Sequence, residues 1–125
     1  MRKLAALPLI LLLSLSWPSS AVAHAELTKS FPAANSVQVR SPKYVQLEFG
    51  EALTTLKGEN ANTITILNSL GHKVKTTKIS VIKGIARVVL TETLNSGKYT
   101  VKYRVVSADG HVLTASYQFK LQLKS

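Results

Sequence analysis

The chain has 125 residues, a formal charge of +10 and no cysteine. That length holds one domain with a modest core and no second one. The missing cysteines exclude a disulfide framework and thiolate metal sites. The basic residues are scattered, with no interleaved aromatic stripe and no amphipathic basic helix, so the charge does not define a nucleic-acid surface.

The N-terminus reads as a secretory signal peptide over residues 1–23. Arg2 and Lys3 form a charged start, and Leu4–Leu15 is an apolar run too short to span a bilayer. Trp17-Pro18 breaks that run, and Ala21-Val22-Ala23 supplies the small-x-small cleavage pattern. Cleavage after Ala23 makes His24 the first residue of a domain spanning 24–125, and predicts an exported, periplasmic protein. Ala23-His24-Ala25 satisfies the same rule, and cutting there would discard His24. An N-terminal histidine matters chemically, because its amine and its Nδ1 can close a chelate ring on one metal ion.

The rest of the chain is written in short strands. A first strand is expected through Ala25-Glu26-Leu27-Thr28-Lys29-Ser30-Phe31, followed by a turn at Pro32–Ser36. Tyr44–Phe49 alternates, with Val45, Leu47 and Phe49 on one face. Ala52–Leu56 is short and ambiguous. Thr63–Leu67 reads as a strand closed by the turn Asn68-Ser69-Leu70-Gly71; Lys73–Ile82 alternates weakly. Lys83-Gly84 turns into Ile85–Leu90, and Leu94–Gly97 turns again. Then comes the strongest signal in the sequence. Tyr99, Val101, Tyr103 and Val105 alternate with polar residues before Ser107–His111, and Leu113, Ala115, Tyr117, Phe119, Leu121 and Leu123 alternate after it. This predicts a long hairpin whose tip is Ser-Ala-Asp-Gly-His. Tyr44, Tyr99, Tyr103 and Tyr117 read as core or hairpin-face residues. Many short strands with regular turns and almost no helical periodicity predict an all-β sandwich or barrel.

Chemistry is concentrated in few residues. The histidines are His24, His72 and His111, and the sole aspartate, Asp109, lies two residues from His111. The His24 amine and imidazole, the His111 imidazole and an Asp109 oxygen make three nitrogens and one oxygen, a set that suits tetragonal Cu(II). Imidazole also suits Zn or Ni, so the donors alone do not name the metal. The sole methionine, Met1, would leave with the signal, which removes soft ligands for Cu(I). A plainer reading competes: Asp-Gly at a hairpin tip is a turn signal in itself. His72 follows Gly71 in a turn and reads as an exposed loop residue. No nucleophile motif, phosphate loop or paired carboxylates are present.

Several segments together resemble the CopC copper-resistance family, especially its small YobA-like members. They are His24-Ala-Glu-Leu behind the signal, Phe31-Pro-Ala-Ala-Asn-Ser36, and Ser41-Pro42 with Val45-Gln-Leu-Glu-Phe-Gly-Glu51. Leu94-Asn-Ser-Gly-Lys-Tyr-Thr-Val101 and Tyr103-Arg-Val-Val-Ser-Ala-Asp-Gly-His111 complete the set. The resemblance implies an immunoglobulin-like Greek-key β-sandwich that binds copper in the periplasm. It carries the Cu(II) ligands onto His24, Asp109 and His111, and associates Glu51 with the site. An inner-membrane CopD-like transporter is the partner it implies; the protein itself is expected to be a monomer. The chain departs from members that hold Cu(I) in a Met-rich loop, and it has Tyr103 where many have Trp.

Three functions follow as expectations: a non-enzymatic Cu(II) protein for resistance, buffering or delivery; a copper oxygenase; or a metal-independent basic module that docks a membrane or protein partner. The first is preferred. An equatorial Asp109 leaves little room for oxygen, and no flat aromatic surface for a glycan is evident.

Overall fold

In a computed structural model the described residues are 26–55 and 61–124. The signal segment, His24 and Glu59 lie outside them. Eight strands form two four-stranded sheets. The first sheet has the order β1-β3-β6-β5, from β1 (Leu27–Phe31), β3 (Tyr44–Phe49), β6 (Ile85–Val89) and β5 (Ser80–Ile82). The second has the order β2-β8-β7-β4, from β2 (Val37–Gln38), β8 (Val112–Leu121), β7 (Gly97–Val106) and β4 (Thr63–Leu67). The chain crosses between sheets after β1, β2, β3, β4 and β6, which gives the expected Greek-key immunoglobulin-like sandwich.

The alternation read from the sequence decides which side chains meet between the sheets. Val45, Leu47 and Phe49 of β3 and Ala86 and Val88 of β6 face Tyr99, Val101, Tyr103 and Val105 of β7. Phe119 and Leu121 of β8 and Ile64 and Ile66 of β4 complete the core. Burial of each large aliphatic side chain contributes on the order of 1.5–3 kcal/mol. Tyr99 stacks on Phe119 at a centroid distance of 5.4 Å, and its hydroxyl donates to the Asn95 carbonyl at 2.7 Å. Phe49 meets Tyr103 edge-on at 5.8 Å.

Three expectations are revised and one ambiguity is resolved. Tyr44 is not in the core: β3 turns it outward, where its ring lies 5.0 Å from Phe31 and beneath the Arg87 guanidinium at 3.8 Å. Within Lys73–Ile82 only Ser80–Ile82 forms a strand; Lys73 and Thr76 make isolated bridges to Leu67 and Leu90. The stretch Ala52–Leu56, ambiguous in the sequence, forms no strand among its described residues, though Leu53 bridges Ser107. Leu123 lies beyond β8 and is 41% exposed, so the apolar alternation outlasts the sheet that could bury it.

The antiparallel register sets two poles. At one, the β7–β8 tip meets the ends of β1 and β3, where Leu27 pairs with Phe49 and Thr63 of β4 lies beside Arg104. At the other, Gly97 lies opposite Leu121 and Leu67 lies beside Thr100.

Candidate metal centre

The ten-residue strands β7 and β8 carry the tip, Ser107 to His111, at their shared end. The tip backbone closes on itself: Ser107 N–H donates to the His111 carbonyl at 2.9 Å, and Gly110 N–H to the Ser107 carbonyl at 2.9 Å. Gly110 sits at φ 92°, a left-handed conformation that a side chain would strain.

The side chains continue this pattern. His111 Nδ1 lies 2.8 Å from Asp109 Oδ2, and the His111 backbone N–H donates to Asp109 Oδ1 at 3.2 Å. The Ser107 hydroxyl donates to Asp109 Oδ1. Ser107 is fully buried, whereas the Asp109 and His111 side chains are 42% and 49% exposed. The Ser107 bond first, and then the His111 contacts, hold the Asp109 carboxyl down at about 2, so it is anionic at neutral pH. A fixed carboxylate beside an oriented imidazole presents oxygen and nitrogen donors together, which suits a divalent cation.

The root of the tip is tied by a second set of polar bonds. Ala108 N–H donates to the Ala52 carbonyl at 2.9 Å, and Thr54 N–H to the Val106 carbonyl at 2.8 Å. The buried Asn62 amide completes the tie: it donates to the Thr54 carbonyl at 2.8 Å and accepts from Val106 N–H at 2.9 Å. The described chain also begins at this pole, where the Glu26 carbonyl accepts from Gly50 N–H at 2.9 Å.

Of the residues singled out in the sequence, Asp109 and His111 are brought together. His24 is outside the described residues. Glu51 is next to Ala52, which binds Ala108, yet among the described residues no three of His, Asp and Glu gather into one cluster. His72 is exposed at the opposite pole, its N–H bound to Asn68 Oδ1 at 2.9 Å, as expected of a loop residue. Sequence reasoning gave no role to Ser107 or Asn62. A serine two residues before an Asp-Gly turn could have signalled the first; Asn62 works through Thr54 and Val106, 8 and 44 residues away, and left no local signal.

The fold and this tip define a β-sandwich with a carboxylate–imidazole pair mounted on its longest hairpin. Residues 27–122 match the CopC domain, and the chain belongs to that family, as the motifs led one to expect. It is 33% identical over 108 residues to copper resistance protein C of Escherichia coli, covering 82% of this chain and 85% of that protein. It is 34% identical over 117 residues to the copper transport protein CutJ of Bacillus subtilis, covering 90% of this chain but spanning only 21% of CutJ. The crystal structure of CopC from Methylosinus trichosporium OB3b superposes with a TM-score of 0.70 at 29% identity, covering 82% of this chain and 97% of that one.

Proposed function

We propose that this protein is exported, is cut after Ala23, and binds Cu(II) through His24, Asp109 and His111. In this reading the amine and imidazole of His24 join the Asp109 carboxylate and the His111 imidazole. The observation that carries it is the Asp109–His111 contact on the hairpin tip, at the pole where the described chain starts. His24 precedes Glu26 by two residues, a reach of about 7 Å. The absence of cysteine and of any methionine after Met1 leaves only nitrogen and oxygen donors, which favours Cu(II) over Cu(I).

The role is buffering, shielding or handing over copper in the periplasm, without catalysis. An anionic carboxylate among the ligands stabilises the oxidised ion, and so suits storage better than oxygen activation. The protein acts as a monomer and passes copper to an inner-membrane transporter of the CopD kind. The match to a fifth of CutJ, a copper transport protein, supports that pairing, since a region like this chain there belongs to a much longer polypeptide.

The test combines intact mass with isothermal titration on protein recovered from exporting cells. The mass should place His24 first, and titration should show one tight Cu(II) site. Affinity should fall by at least the hundredfold that a lost supporting group can cost when His111→Ala removes a ligand itself. A chain beginning at Ala25 or later, or Cu(II) uptake indifferent to His111→Ala, rejects the proposal.

A further inference from the structure

The carboxylates that look scattered in sequence are sorted along the long axis of the fold. Of the five described carboxylates, Glu26, Glu48, Glu51 and Asp109 lie at or towards the tip pole. The fifth, Glu92, is at the other pole, where its Oε1 accepts from the Lys75 backbone N–H at 3.1 Å. The strands of the second sheet contain no Asp or Glu at all. Their far pole is basic instead: Lys98 and Lys120 sit directly opposite each other on β7 and β8, both exposed, with Lys73 and Lys124 nearby.

Two like charges facing across strands destabilise a sheet. Among the described residues no carboxylate lies within ion-pair distance of either lysine. The pair flanks a shallow cavity of about 240 Å³ that also borders Ser36, Val37 and Gln118. Around the same pole exposed aliphatic side chains stand clear of the core: Val37 is 54% exposed, Leu70 78% and Leu123 41%.

Cations bordered by exposed Val37, with exposed Leu70 and Leu123 at the same end of the fold, match the boundary of a bilayer, where phosphates lie beside acyl chains. A free anion would use only the lysines. A protein partner would be expected to find a buried aromatic or arginine anchor, and these side chains supply none. We infer that this pole is a docking surface for an anionic phospholipid bilayer, with the Lys98–Lys120 cavity receiving a headgroup phosphate and Val37, Leu70 and Leu123 touching the acyl boundary. The tip then stands at the far end of the ten-residue hairpin, away from the lipid. The inference does not depend on copper.

Co-sedimentation of the exported, metal-free protein with phosphatidylglycerol–phosphatidylcholine vesicles tests it. Binding should weaken as salt rises and be absent with phosphatidylcholine alone, which also reports apolar insertion by any retained N-terminal segment. A lysine near an anionic surface is worth roughly fivefold in partitioning, so Lys98→Gln with Lys120→Gln should cost on the order of twentyfold. The same charge change at the tip pole, Lys29→Gln with Lys83→Gln, should cost no more than about threefold, since it acts only through net charge at a distance. Leu70→Ser should weaken binding without altering its salt dependence. Equal losses from the two lysine pairs, equal binding to neutral vesicles, or displacement by inorganic phosphate at matched ionic strength would each overturn the inference.

Discussion

The two ends of one hairpin differ in what is done with polar groups. At the tip, Asp109, His111, Ser107 and Asn62 are all engaged, and buried hydrogen bonds hold a carboxylate at the surface in a set orientation. At the base, Lys98 and Lys120 face each other with no described carboxylate in reach. The same two strands therefore offer an anion at one end and a facing pair of cations at the other. The difference teaches that organisation at the tip is won by satisfying groups, whereas the base retains an unfavourable contact that folding alone does not require.

The comparison breaks most severely at Asn62. Replacing it with Ala leaves the Thr54 carbonyl and the Val106 N–H without their partner, and each unmet buried group costs about 1–3 kcal/mol. Denaturant unfolding of Asn62→Ala should show that loss, and hydrogen exchange should speed up at the tip before it does at the base. A variant as stable as the parent would remove Asn62 from the account.

Acid sharpens the contrast at intermediate strength. The Asp109 carboxyl is depressed to about 2 in the fold, while an unfolded carboxyl titrates near 4. Its contribution is therefore complete above about pH 4 and is lost as pH falls towards 2. The metal-free protein should lose stability across that window, and Asp109→Asn should flatten the decline there. An unchanged acid limb would mean that the Ser107 and His111 bonds do not hold the carboxylate in solution.

The smallest effect belongs to the base and has the opposite sign. Lys98→Glu turns a like-charge cross-strand pair into an opposite one, worth a few tenths of a kcal/mol up to about 1 kcal/mol. Thermal unfolding should rise slightly while binding to anionic vesicles falls. A destabilised Lys98→Glu would show that the two lysines were not opposed to begin with.

The hairpin was legible because its alternation is local and strict: Tyr99 to Val105 and Leu113 to Leu121 announce one buried face without reference to any other segment. Asp109 and His111 were legible for the same reason, being two residues apart on a turn. Tyr44 was misplaced because it was judged by residue type: the alternation of Val45, Leu47 and Phe49 already set it on the outward face with Gln46 and Glu48. The two-residue β2 carried no pattern of its own and exists through parallel pairing of Val37 with Lys120, residues far apart in the chain.

By itself the sequence determined the all-β class, the turn that brings a carboxylate to an imidazole, and a donor set without sulfur after Met1, all consequences of near neighbours. The tertiary structure was needed to tie Thr54 to Val106 through Asn62, to set Lys98 against Lys120, and to bring four of the five described carboxylates towards the tip. Those depend on strand register and on bonds between separate segments, which bring residues eight to more than forty positions apart side by side, and no short-range pattern encodes that proximity.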